Sequence, residues 1–480
     1  MAGILAGLPD SVLELTYLVA GVLFIQGLRD MTHPRTATRG NIISSGGMFL
    51  AVLVTVLWFE ILSPLFLAAG LLLGGAVGAW LAVSVETTEM PQLVGLFNGF
   101  GGGASAVVAG AELVDVLASG GSLSVGLTTT ASIAGIIGAV TFCGSLVAAG
   151  KLHGLVGDSP VGETTDHALK IVFLVAALAA GLHLVVQPPV LDQVPLSSWV
   201  PSYWVLVAAA SALGVFLVVP IGGADMPVVI ALLNSYSGLA AATTGFVLNN
   251  TVLIVAGTLV GASGLILTVI MCESMNRSLA NVLFGGLGSG DDDGEEMEDI
   301  YEGNIIETSP EEVEMLLDTA DRVVIVPGYG MAVGQAQHAV AELADLLEEN
   351  GVDVEFGIHP VAGRMPGHMN ALLAEADVSY EKMRELEEVN PTFSRTDVAI
   401  VTGANDVVNP RANEDTDSPI AGMPVLDVAE AGTVIVNKRS LSPGFSGIPN
   451  PLFAKDNTSM LFGDAKESMQ ALVNEYKGGR

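Results

Sequence analysis

Basic residues are scarce in this chain: 18 Lys and Arg stand against 51 Asp and Glu, a net charge of -33 over 480 residues. Phosphate contacts require Lys and Arg gathered on one face, so the balance excludes nucleic acid as a partner. Cysteine is nearly absent. Cys143 and Cys272 both fall inside apolar stretches and read as buried thiols, neither a disulfide nor a metal pair. Charge of either sign is thin as well, at 14% of residues against 51% hydrophobic ones. So strong an acidic excess beside a mean hydropathy of +0.59 does not describe one soluble domain.

The charges divide unevenly. Through residue 280 there are 6 Lys and Arg and 14 Asp and Glu, leaving 12 and 37 for the last 200 residues. The first part reads as a membrane domain and the second as an acidic soluble one. Acidity with few lysines suits a high-salt cytoplasm, where carboxylates hold water, and an ordinary acidic protein is the plain alternative.

Nine apolar segments are long enough to cross a bilayer, which takes roughly 20 residues at helical rise. They run near 11–28, 41–61, 64–85, 91–117, 127–149, 169–186, 202–220, 226–248 and 251–271. No Lys or Arg precedes Arg29 and no small-residue cleavage site follows the first segment, so it reads as a retained span, not a signal peptide. Arg29, Arg35, Arg39, Lys151, Lys170 and Arg277 all fall on one side of such a bundle. The positive-inside rule then places the N-terminus outside the plasma membrane and the C-terminal domain in the cytoplasm.

Gly70, Gly74 and Gly78 recur on one face of span three, and Gly135 and Gly138 lie in span five. Small residues let helices approach closely in lipid, so both sets read as packing positions. Polar residues inside the spans are few: Asn98, Ser145, His183, Asn234, Ser235 and Ser237, with Asp225 near a cytoplasmic end. Each costs free energy in hydrocarbon unless it faces a partner or water. Asn98, Ser145 and Asn234 sit on three spans at related depths and could line one polar path, or serve singly as interhelical hydrogen bonds.

From Gly285 the composition turns to Gly, Ser and a run of carboxylates beginning at Asp291 and continuing through Glu314. Such a run buries no apolar surface and reads as a solvated linker over 281–315, either a tether for a moving domain or a mere spacer. It separates the membrane domain at 1–280 from a domain at 316–480. Beyond the linker, strands at 322–326, 352–358, 398–402 and 433–437 alternate with helical stretches, the pattern of a Rossmann-like doubly wound parallel sheet.

The first strand runs into Pro327-Gly328-Tyr329-Gly330 and then a helical Met331-Ala332-Val333. Glycines there let backbone N–H groups reach a pyrophosphate, and a helix N-terminus favours its charge. The second strand ends Gly357-Ile358-His359-Pro360, with no carboxylate at its tip for a ribose 2′-hydroxyl, and Glu355 lies inside it. Lys438-Arg439-Ser440 follows the late strand, and two adjacent cations in so acidic a domain suit a 2′-phosphate, or else form a solvated basic turn.

Four motifs of this domain resemble the NADP-binding domain of the beta subunit of proton-translocating nicotinamide nucleotide transhydrogenase. They are Gly328 to Val333, His359 to Asn370, Gly403-Ala404-Asn405-Asp406 and Ser418 to Pro424. The spans match at Thr88 to Pro91, Gly223 to Pro227 and Asn234 to Gly238. The resemblance covers nearly the whole chain, the acidic linker apart. It implies NADP(H) held on this chain and NAD(H) on a partner, the alpha subunit, which carries the NAD-binding domain and further membrane helices. It also implies a dimer of complete units in the bilayer, with hydride transfer driven by protons returning to the cytoplasm.

By that resemblance Gly328, Gly330, Ala332 and Val333 cradle the pyrophosphate, Tyr329 is a further cofactor-binding residue, and Lys438, Arg439 and Ser440 take the 2′-phosphate. Gly403, Ala404, Asn405 and Pro366 border the nucleotide, while Arg364 and Asp406 link its occupancy to protonation. Asp225 and Arg277 are expected to couple the spans to the domain, and Lys438 to Gly447 resembles a lid. The family often has Tyr where Phe445 stands and a histidine where Asn98 stands; asparagine does not titrate, so Asn98 can only order water or hydrogen bonds. Hydride passes directly between nicotinamides, so no catalytic side chain and no metal is expected. The same architecture would suit a nucleotide-gated channel or transporter, which would work without a second nucleotide subunit. A membrane-tethered NADP dehydrogenase is disfavoured, because no acid/base pair stands beside the cradle in an obvious motif.

Overall fold

The computed structural model describes residues 9–31, 34–58, 64–157, 163–186, 199–284, 300–301, 304–413, 420–444 and 446–478. Phe445, Ser418, Pro419 and the acidic stretch 285–299 lie outside them. The chain divides into two compact units. One holds the described residues of Met1–Glu86, Gln92–Pro220 and Ile230–Ile266; the other holds those of Thr87–Pro91, Ile221–Val229 and Leu267–Arg480.

Nine helices among the described residues are long and apolar enough to span a membrane. They are α1 (Asp10–Met31), α2 (Pro34–Trp58), α3 (Pro64–Ser84), α4 (Met90–Ala118), α5 (Val125–Leu152), α6 (Glu163–Val186), α7 (Trp199–Val218), α8 (Met226–Val247) and α9 (Thr251–Ser274). All nine expected segments are present. Buried alanines dominate the helix contacts: Ala139, Ala177, Ala209 and Ala210 make one cluster with Val140 and Leu213. Another gathers Ala109, Ala131 and Ala134 around Leu184 and Tyr203. Small side chains let backbones approach where lipid offers no hydrophobic drive. Gly138 meets the carbonyl of Gly102, and Gly135 meets the Tyr203 ring, whose hydroxyl donates to Ala106 O at 2.6 Å.

The glycines of α3 behave otherwise. A Cβ at Gly70, Gly74 or Gly78 would meet nothing within 4 Å, and α3 is exposed along its length. Among the described residues these glycines therefore have no packing partner: spacing marks a face able to receive a helix but does not identify which helix.

In the second unit six strands form one parallel sheet, in the order β3-β2-β1-β4-β5-β6. They are β1 (Arg322–Pro327), β2 (Asp353–Ile358), β3 (Met383–Glu385), β4 (Val398–Thr402), β5 (Thr433–Lys438) and β6 (Thr458–Phe462). Strand order reverses between β1 and β4, the doubly wound arrangement of a Rossmann-like fold. The central strands are runs of Val and Ile buried on both faces, as a parallel sheet covered by helices requires. After α10 (Leu279–Phe284), the helices are α11 (Pro310–Leu317), α12 (Tyr329–Val333), α13 (Gln337–Glu349), α14 (His368–Glu375), α15 (Leu386–Val389) and α16 (Ala465–Gly478). Apolar residues of α13 and α16, among them Val340, Leu343, Met469 and Leu472, cover the sheet.

Part of the acidic run is folded. Ser309 caps α11 and Glu312 returns the bond to the Ser309 N–H, while Val313 and Leu317 are fully buried. Just before it, Thr308 N–H donates to Met460 O at 3.0 Å, fastening the segment beside β6. Composition reads Glu311 to Glu314 as solvated; two apolar residues on one helical face and a capping box turn it into a helix.

Candidate functional site

The carboxyl ends of β1, β4, β5 and β6 and the loop after β2 enclose a cleft of about 450 Å³. It lies at the switch point where open α/β sheets hold ligands. Eleven of the residues expected to bind cofactor line it: Gly328, Tyr329, Gly330, Val333, Gly403, Ala404, Asn405, Asp406, Lys438, Arg439 and Ser440. Ala332 does not, being buried in the core behind them. Arg364 and Pro366 are not lining residues either, although the Arg364 guanidinium carbon stands 4.4 Å above the centre of the Tyr329 ring.

Close backbone approach builds the floor. Gly330 N–H donates to Gly403 O at 2.8 Å and Gly328 N–H to Thr402 O at 2.9 Å. A Cβ on Gly330 would stand 2.7 Å from Gly403 Cα, and Gly403 itself has φ +66°. The glycines therefore serve first to press the β1 and β4 loops together. Their N–H groups are already engaged, so what they present to the cleft is a wall free of side chains. The helix after β1 is also short: α12 ends at Val333 with Gly334 as its cap, Gln335 takes φ +51° and α13 starts afresh.

One end of the cleft is cationic. Lys438 Nζ donates to Ser442 O at 2.8 Å and lies 4.9 Å from the centre of the Phe453 ring. Burial pulls its ammonium down to about 8, and Asp406 draws it partly back up. Arg439 and Ser440 beside it are exposed. The Asp406 carboxylate is buried and accepts from Ser446 N at 3.1 Å and Ser446 Oγ at 2.8 Å. Gly444 packs so closely that a Cβ there would fall 2.5 Å from the carboxylate oxygens. Glu355 is committed elsewhere, to Arg322 and to Arg384 Nε at 2.8 Å, so it is not held out toward the cleft.

Asn437 and the Gly463-Asp464-Ala465 turn line the cleft too and were missed in the sequence. The apolar Met460-Leu461-Phe462 before Gly463 is the signal that would have shown a strand ending at the site.

In the membrane unit α4 faces α5 and α8. Asn98 is buried and its Nδ2 donates to Ile230 O of α8 at 3.4 Å. Ser145 of α5 is fully buried against Gly99, and its Oγ has no partner among the described residues. Gly101 meets Ser237. Asn234 is half-buried on α8 between Ile230 and Ser237. The three expected path residues thus lie on helices that meet, without a hydrogen bond joining one to another among the described residues. His183 faces Ser202 Oγ at 3.3 Å. In the other unit Arg277 Nη1 reaches both Asp225 oxygens, at 3.2 and 3.0 Å. Burial raises the Asp225 carboxyl while Arg277 lowers it, and the net direction is up.

Comparison with known proteins decides the family. Residues 13–475 match the family described as NAD(P) transhydrogenase beta subunit. A Rhodospirillum rubrum protein named NAD(P) transhydrogenase subunit beta is 46% identical over 461 residues, covering 95% of this chain and 97% of that one. A protein of the same name from a designated strain of that species matches equally. The chain belongs to the NAD(P) transhydrogenase beta subunit family. Its nine spans and Rossmann-like sheet are this beta subunit's two structural parts, and the cleft at the β1/β4 switch point is its candidate nucleotide site.

Proposed function

We propose that this beta subunit binds NADP(H) in the switch-point cleft and exchanges hydride with NAD(H) on an alpha subunit, coupled to proton movement through its spans. It would act as the NADP half of a transhydrogenase of Si-Re type. The observation carrying the reading is the cleft's polarity: a side-chain-free floor suited to a pyrophosphate, with Lys438, Arg439 and Ser440 at one end to take a 2′-phosphate. The nicotinamide supplies the hydride chemistry when bound. This chain's residues hold and cover the nucleotide: Tyr329, stacked on the Arg364 guanidinium, forms one wall, and Ser446 on the Asp406 carboxylate ties down the segment after Lys438 as a lid.

Residues 1–280 are the proposed membrane domain and 316–480 the nucleotide domain, with 281–315 between them. Asn98, Ser145 and Asn234 order the proton path without themselves titrating. Asp225 is the proposed switch, because a proton on its carboxylate would release Arg277 and bias the nucleotide domain toward exchange. Such coupling requires that protonation and nucleotide favour the same state. The exposed glycine face of α3 is the proposed seat for a membrane helix of the alpha subunit, in a dimer of complete units. The single-sided basic residues support a plasma-membrane orientation with the nucleotide domain in the cytoplasm, and the acidic balance suits a high-salt interior.

Titration calorimetry of the full chain with NADP⁺ and with NAD⁺ tests the nucleotide assignment. NADP⁺ is expected to bind about 100-fold more tightly, the scale of a charge-assisted phosphate contact. Equal affinity for the two would refute the assignment of Lys438 to a 2′-phosphate.

A further inference from the structure

Two histidines outside the predicted nucleotide contacts bracket one wall of the cleft. The chain leaves β2 at Ile358 and returns as α14 at His368. His359 is 1% exposed; its Nδ1 accepts the Val361 N–H at 3.2 Å, and its Nε2 stands 2.6 Å from Pro424 O. With an acceptor opposite Nε2, that nitrogen carries the hydrogen and Nδ1 is the free acceptor. His368 is also 1% exposed and accepts the Arg364 N–H on Nδ1 at 3.0 Å. Its other nitrogen has no partner among the described residues.

Between the two acceptors lie Val361, Ala362 and Gly363, the residues of this loop that line the cleft. Gly363 has φ +106° and packs on the His368 ring, where a Cβ would come within 2.5 to 2.8 Å. The next residue is Arg364, the partner of Tyr329. A loop has no ladder to receive its N–H groups, so each needs another acceptor or the loop changes shape. Burial draws both imidazoles down to about 4, and Arg364 adds to the effect on His368. Both therefore remain acceptors at neutral pH.

We propose that His359 and His368 are positioning residues, whose Nδ1 atoms clamp the two ends of the Val361–Arg364 loop and hold the Arg364–Tyr329 stack in its nucleotide-receiving form. The proposal rests on reading the cleft as the NADP(H) site.

The test compares Asn and Gln at His368 in the full chain. Asn presents its Oδ1 where Nδ1 stands and keeps the bracket, whereas Gln places its amide where Nε2 stands and loses it. His368→Asn is expected to bind NADP⁺ within about threefold of the parent, and His368→Gln about tenfold more weakly. Thermal unfolding without nucleotide, measured alongside, shows whether affinity follows the bracket or general packing. Equal affinity in the two variants overturns the proposal, and so does a tenfold loss in His368→Asn should His368→Gln not fold. His359→Asn, which keeps the Val361 bond and loses the Pro424 one, is expected to retain more affinity than His359→Leu. The reverse order also overturns it. If the parent chain itself does not bind NADP⁺, the reading of the cleft has failed and the proposal falls with it. If the parent binds and the variants do not differ, the bracket alone has failed.

Discussion

Replacing Lys438 by Ala is expected to weaken NADP(H) binding roughly 30- to 100-fold while leaving any NAD(H) affinity nearly unchanged. Removing one partner of a partly desolvated charge pair costs about 2 to 3 kcal/mol. Two cations flank the proposed phosphate, yet Arg439 is exposed and water screens it, whereas Lys438 is half-buried. The same residue gives the binding a pH dependence. In the free chain its ammonium loses its proton near 8, because burial disfavours the charge. A bound 2′-phosphate favours the charged form, so binding takes up a proton once the pH passes that value. Affinity is therefore expected to be flat near pH 7 and to fall by up to about tenfold per pH unit above 8. Lys438→Arg, charged throughout, is expected to remove the slope while keeping much of the affinity. Calorimetric titrations from pH 7 to pH 9.5 measure both, and a slope that persists in the Arg variant would assign it to another group.

Gly403→Ala is expected to destroy the cleft without touching a nucleotide contact made by a side chain. Gly403 sits at φ +66°, which alone costs an alanine about 1 kcal/mol. The larger cost is steric: the new Cβ would collide with Gly330 Cα and come 2.5 Å from Met331 N, both backbone atoms that no rotamer change can move. Forcing the β1 and β4 loops apart also strains the bonds from Gly328 to Thr402 O and from Gly330 to Gly403 O. We expect a loss of several kcal/mol in the stability of the nucleotide domain and no measurable NADP(H) binding. Thermal unfolding of the full chain with and without NADP⁺ reads both effects. An alanine variant that kept its midpoint and its shift on adding NADP⁺ would contradict this account of the floor.

Much of the architecture can be read from the residues. Nine spans are legible because crossing a bilayer demands length and apolarity that nothing else in the chain imitates. Strands β1, β4 and β5 are legible because central strands of a parallel sheet are runs rich in Val and Ile, and β2 because Val354, Phe356 and Ile358 alternate with other residues. Strand β3 is not: it is Met383-Arg384-Glu385, an edge strand with no hydrophobic signature. Strand β6 escaped because Thr458-Ser459 opens it with polar residues, and with it went Gly463 and Asp464 at the cleft.

Residue type alone points to Lys438, and the family resemblance adds Asp406; both line the cleft. The site was not legible where function depends on which atoms are already engaged. Gly328 and Gly330 read as donors to a phosphate, yet their N–H groups are taken by the carbonyls of Thr402 and Gly403. The glycines of α3 read as packing, yet their partner is not in this chain's described residues. Sequence spacing specifies a surface, and only assembly specifies what meets it.

The most direct test co-expresses this beta subunit with its alpha partner in sealed vesicles and follows NADPH formation from NADH while a proton gradient is imposed and then collapsed. NADPH formation is expected to be faster with the gradient directed toward the nucleotide side, and to fall to the unassisted rate when an uncoupler is added. Hydride transfer indifferent to the gradient would contradict coupling through the spans, and NADP⁺ binding without any hydride transfer would contradict the enzyme reading itself.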